Sequence, residues 1–136
     1  MAAAPARLWR HLGWRGLALA GVGACWIVYG IGLIVTTRGA VTAGAAPVIR
    51  LMCIEAWGGV WIASGVLASV AGMLRPGRDV WGFAAISFMP AVWGLAFMAS
   101  AVTGDYQAAW AAVPIYVAVL LLVVIVATLT RGRTHG

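Results

Sequence analysis

Charged residues divide this chain into long apolar blocks, and that pattern is its dominant signal. Four stretches carry no charge at all: Gly16 to Thr37, Ala56 to Leu74, Val80 to Gly104, and Tyr106 to Thr130. Each can supply the roughly 20 apolar residues that a helix needs to cross about 30 Å of hydrocarbon. Backbone groups in lipid must bond within their own segment or within a closed barrel, and the alternating apolar and polar pattern of barrel strands is missing. The pattern therefore predicts an all-α protein, an integral membrane four-helix bundle running up-down-up-down, with spans at about residues 17–36, 55–74, 80–102 and 107–129.

The first block follows Arg7, Arg10 and Arg15 and so resembles the start of a secretory signal. A signal core is only about 7–15 residues long. This block is longer, contains Trp26 and Tyr29, and lacks a small-residue cleavage site before polar sequence, so a retained helix is expected. Ahead of it, Pro5 can start a short interfacial helix over residues 5–15. In that helix Arg7, His11 and Arg15 would repeat every fourth residue and face lipid phosphate.

The second block has an ambiguous beginning. Val48 to Ile54 either lengthens it or forms a separate interfacial turn. A helix running from Pro47 to Leu74 would be about 42 Å long and would have to tilt or protrude. The second and third blocks are joined by RPGRD at residues 75–79, a tight turn that makes their helices antiparallel neighbours.

Composition strengthens this picture. Of 136 residues, 64% are apolar and 9% charged, far below the roughly one quarter that a water-facing surface carries. The net charge of +6 comes from nine Arg set against Glu55, Asp79 and Asp105. These Arg are scattered over connections and tails and make no face that could follow a nucleic-acid backbone, so anionic lipid headgroups are the expected partner. With both termini inside, Arg7, Arg10, Arg15, Arg75, Arg78, Arg131 and Arg133 are cytoplasmic, and only Arg38 and Arg50 lie outside. Seven against two follows the positive-inside rule and predicts cytoplasmic termini, and the all-Arg, Ala- and Gly-rich usage looks like that of a GC-rich bacterial genome, so a bacterial cytoplasmic membrane is expected.

Candidate chemistry is sparse. Glu55 is the carboxylate nearest to a span outside an evident turn. The nineteen uncharged residues between it and Arg75 place it at the outer interface, within reach of water, Arg50 or Arg38. Of eight Trp, Trp9, Trp14, Trp57, Trp81 and Trp110 fall near predicted interfaces, whereas Trp26, Trp61 and Trp93 lie deeper and call for indole partners within a bundle or an oligomer. Pro90 sits near the middle of the third span, where it deprives the Ile86 carbonyl of its helical donor. Ser87 is placed to compensate. Small residues at Gly16, Ala20 and Ala24, and at Ser64, Ala68 and Gly72, suit close helix packing. The segments WIVYGI at 26–31 and WIASGV at 61–66 echo one another, as do WGGVWIASGV at 57–66 and WGLAFMASAV at 93–102.

Cys25 and Cys53 are predicted at different depths and are not expected to pair. His11 and His135 lie in separate tails, and no paired acids or nucleophile with its base converge, so neither a metal, a cofactor nor an enzyme activity is expected.

The runs WGGVWIASGV, RPGRDVWGF and PAVWGLAF resemble a group of small Trp-rich, four-span membrane proteins of actinobacterial phages and prophages, over about residues 55–130. That resemblance implies a holin-like protein, which self-associates in the host membrane and releases or activates a cell-wall lytic enzyme. The alternatives are a structural or accessory subunit of a larger membrane complex and a small transporter or channel using Glu55. A homo-oligomer or a membrane-protein partner is expected.

Overall fold

A computed structural model of the chain describes the backbone of residues 3–36, 39–74 and 79–131. It is all-helical among these residues, with six α-helices: α1 (Ala3–Val35), α2 (Ala40–Gly44), α3 (Ala46–Ile49), α4 (Ile54–Gly72), α5 (Val80–Thr103) and α6 (Val113–Arg131), the last preceded by a 3-10 turn at Gln107–Ala111. Four segments are long and apolar enough to cross a membrane: Gly13–Val35, Ile54–Gly72, Val80–Thr103 and Gln107–Leu129. The chain is a multi-pass membrane protein built as a four-helix bundle. The RPGR turn at 75–78 and the last five residues lie outside the described residues.

Helix α1 is interrupted at Gly13, whose φ of 58° and ψ of 177° are not helical. Only glycine adopts such a conformation at little cost. The break separates residues 3–12 from the span and so removes Arg15 from the stripe expected with Arg7 and His11. Arg15 belongs instead to the first turn of the crossing helix, where it turns into the bundle. Of residues 3–12 only the helical backbone is described.

The spans neighbour one another in the order α1, α4, α5, α6, and α6 rests chiefly on α5. Helices α1 and α4 form the most intimate pair. Three glycines on α1, Gly16, Gly23 and Gly30, face three on α4, Gly72, Gly65 and Gly58, in antiparallel register. A Cβ at Gly72 would stand 2.7 Å from the Gly16 carbonyl oxygen, one at Gly23 would stand 2.5 Å from that of Gly65, and one at Gly30 would stand 2.5 Å from that of Gly58. Backbone therefore touches backbone along the whole interface, which gains van der Waals contact that lipid cannot supply. The seven-residue spacing within each set keeps one seam in contact, as in a left-handed coiled pair. Gly16, Ser64, Ala68 and Gly72 are buried as the expected small-residue stripes require, but Ala24 is exposed and Ala20 only half-buried.

The second span begins at Ile54, after Cys53 in an extended conformation (φ −62°, ψ 155°). Residues 48–53 do not lengthen it. Helices α2 and α3 instead fold over the end of the bundle remote from the termini and pack on α5. Ala45 is fully buried, and Gly44 lies directly against the Phe97 ring, leaving no room for a side chain. Ala109 of the 3-10 turn is also fully buried. These caps enclose a core that contains Trp57, Trp61, Met89, Trp93 and Phe97, while a second core, toward the termini, gathers Leu19, Ala68, Phe83, Ile86 and Val123.

The glycine interlock gives a direct test. Gly65→Ala places a methyl group against the Gly23 backbone, which cannot yield as a side chain would, and is expected to destabilise the bundle by about 1–3 kcal/mol. Gly59 on the same helix has open space around it. Gly59→Ala should leave the detergent melting temperature unchanged or slightly raised.

Candidate functional site: the tryptophan column and the charged end

The deep tryptophans of three helices meet in one column. Trp26 of α1 meets Trp61 of α4 edge-on, with ring centroids 4.8 Å apart, and Trp61 meets Trp93 of α5 at 5.7 Å. Trp57 joins Trp93 at 5.2 Å, and Tyr29 joins Trp61 at 4.7 Å. All four contacts are T-shaped, the arrangement in which the positive edge of one ring meets the negative face of the next. Trp26 and Trp61, and likewise Trp57 and Trp93, are the corresponding residues of the two sequence echoes, so the repeated positions stack on one another.

Trp57 departs from expectation. It lies near the outer end of its helix by position, yet it is only 7% exposed. Its indole N–H donates to the Val48 carbonyl at 3.0 Å and so ties α3 down onto α4. Trp14, Trp81 and Trp110 are exposed and can serve as interface anchors. The Trp9 side chain lies outside the described residues.

Pro90 is buried within an α5 that continues through it. The Ile86 carbonyl, which a backbone N–H at position 90 would otherwise satisfy, accepts a hydrogen bond from the Trp26 indole N–H at 3.3 Å. One residue earlier, the Ala85 carbonyl accepts from Ser64 Oγ of α4 at 2.6 Å. Ser87, expected to perform this repair, donates instead to Phe83 at 2.8 Å, one turn back. The donor missing from α5 is thus replaced from α1. This converts a local defect into an interhelical bond.

Not every deep polar group is matched. The indole N–H groups of Trp61 and Trp93 and the Ser100 hydroxyl are buried without an acceptor of ordinary hydrogen-bond geometry. The Tyr29 hydroxyl lies close to Trp93 and to Tyr116 of α6, and Tyr116 leans on Phe97 with centroids 5.5 Å apart. Around the aromatic column, the described deep polar side chains are hydroxyl and indole groups.

Charge appears in the bundle at the end that holds the termini. Arg15 Nε donates to Asp79 Oδ2 at 2.6 Å, and the two side chains are 16% and 4% exposed. Arg15 Nη1 also donates to the Ala127 carbonyl at 3.3 Å, and the guanidinium lies 4.8 Å above the Phe83 ring. One side chain on α1 thereby holds the start of α5 and the last turns of α6, where a cation also complements the helix dipole. Asp79 and Arg15 were read from sequence as a turn residue and a lipid-facing cation. The missed signal is the placement of a carboxylate directly before a span.

Glu55 and Arg50 stand apart from the column. Glu55 is exposed in the first turn of α4, where a carboxylate suits the positive end of the helix dipole, and Arg50 is exposed at the end of α3. Cys25 and Cys53 are both free and exposed. Among the described residues no group of three His, Cys, Asp or Glu is close enough to hold a metal ion. Compared with protein families, with curated proteins and with solved structures, the chain matches none.

Two measurements follow from this geometry. Trp26→Phe keeps an aromatic ring against Trp61 but strands the Ile86 carbonyl, with an expected cost of about 1 kcal/mol. Pro90→Ala restores a backbone donor there, so the Trp26→Phe penalty should shrink in that background, as a double-mutant cycle of unfolding in detergent will read. At the charged end, Asp79→Asn or Arg15→Met alone is expected to cost about 3–5 kcal/mol by breaking a buried ion pair from one side. The Arg15→Met/Asp79→Leu pair should recover most of that loss.

Proposed function

We propose that this chain is a non-enzymatic, self-associating membrane protein of the holin-like kind, acting in a bacterial cytoplasmic membrane. The observation that supports the reading is the closed interior of the single bundle. Trp61, Leu19, Ile86, Met89 and Trp93 are all at most 1% exposed, and backbone meets backbone between α1 and α4. Packing this tight among the described residues supports permeability that arises between copies rather than through one. The outward face is suited to lateral contact, since α6 exposes Ile115, Leu121, Leu122, Ile125 and Leu129.

The transporter reading is weaker on the same grounds. Glu55 sits exposed in the first turn of α4, at an end of the bundle and apart from the buried Trp61 and Trp93. An accessory-subunit role would use the same outward face and differs by requiring a definite partner.

Induced expression in a bacterial host should collapse the membrane potential and stop growth, abruptly after an energy poison. Cells that keep both potential and viability would overturn the proposal. Glu55→Gln should leave the effect unchanged. Loss of the effect in that variant would favour the transporter reading, and co-purification with one definite host partner in mild detergent would favour the accessory one.

A further inference from the structure

Helices α1 and α6 diverge below the Arg15 contact and leave a crevice of 520 Å³ between them, floored by α5. Leu17 and Gly21 form one wall, Val119 and Val126 the other, and Phe83 and Ile86 the floor. The volume is that of a small-ligand site, about 300–1,000 Å³, and the lining is almost wholly apolar. The crevice extends along α1 from Trp14 to Trp26, twelve residues or about 18 Å of helix. One leaflet of hydrocarbon is about 15 Å deep.

We propose that this crevice is a binding site for one acyl chain of an anionic phospholipid from the leaflet on the side of the termini. Depth distinguishes this occupant from a second copy of the chain. The crevice runs from Trp14 to Trp26, about the depth of one leaflet, which matches a single acyl chain better than a helix that spans both leaflets. Its mouth lies at Trp14, an exposed indole suited to the headgroup level. Charge selects the headgroup. Arg10 precedes the mouth along α1, and Arg131 closes α6 five residues beyond Val126, while the Arg15 charge is already matched by Asp79. Basic positions flanking a pocket between transmembrane helices are a known setting for anionic headgroups. The crevice is open at Gly21, where no atom stands within 4 Å of the position a Cβ would take, so a larger side chain there would project into it.

The test uses the full chain, reconstituted in vesicles of equal phosphatidylglycerol and phosphatidylcholine, extracted in mild detergent, and weighed with its retained lipid by native mass spectrometry. One phosphatidylglycerol per chain is expected, retained in preference to phosphatidylcholine. Gly21→Phe and, independently, Val119→Trp fill the crevice from opposite walls and should each lower retention about tenfold, a loss of about 1.4 kcal/mol. Gly59→Phe, on an open face elsewhere, should not. The inference is overturned if the native chain retains no phospholipid, if it retains the two lipids equally, or if either folded filling variant retains lipid as the native chain does. It is also overturned if, in a Cys53→Ser background, Cys25 within the crevice cross-links to Cys25 of a second copy in place of lipid retention. None of these outcomes depends on whether the protein permeabilises cells.

Discussion

The backbone contact between α1 and α4 is the constraint on which the rest of this bundle depends. Three glycine pairs bring the two helices so close that a Cβ on one glycine of each pair would meet a carbonyl oxygen of the other helix, and that approach sets how far the other side chains on α1 can reach. Trp26 extends past α4 to a carbonyl of α5 because α1 is drawn in so closely, and its hydrogen bond at 3.3 Å is already long. A helix displaced by the width of a methyl group would lose that bond, and the Ile86 carbonyl would then be stranded in hydrocarbon. The glycines, the tryptophan and the proline thus form one chain of dependence. Each accommodates a defect introduced by the next.

The crossings were legible in the sequence because charge is so scarce here that its positions alone mark the membrane boundaries. The internal contacts were less so. The spacing of Gly16, Gly23 and Gly30 and of Gly58, Gly65 and Gly72 is present in the sequence, but with 18 glycines in the chain it gains meaning only once α1 and α4 are known to be antiparallel partners. The replacement of the Pro90 donor by Trp26 was not legible at all, since the two residues belong to different helices and local logic points to Ser87. Trp57 was misplaced for a related reason. Position along a helix indicates depth in the membrane, but it does not indicate whether a loop folds back to cover that depth, as α3 does.

The candidate site divides into two halves of opposite character. Toward the loops, the aromatic column is neutral and sealed by α2, α3 and the 3-10 turn. Toward the termini, the interior admits the Arg15–Asp79 ion pair and the walls separate. The Trp rings interlock in the first half, and the opening lies where α1 and α6 hardly meet. An activity exercised through the lipid-facing surface is consistent with that division, because the sealed half preserves the shape of the bundle while the open half meets the bilayer.

The Arg15 contacts also bear on the order of assembly. Arg15 joins residue 79 and residue 127, so its partners emerge during synthesis 64 and 112 positions after it. The α1 and α4 interlock needs only the first two crossings and can close early. Arg15 is synthesised well before Asp79, and the pair can form once the chain reaches the start of the third crossing. The guanidinium therefore acts as a latch that engages in two stages, first with Asp79 and then with the Ala127 carbonyl, and a chain truncated before the fourth crossing would lack the carbonyl on which that latch finally closes.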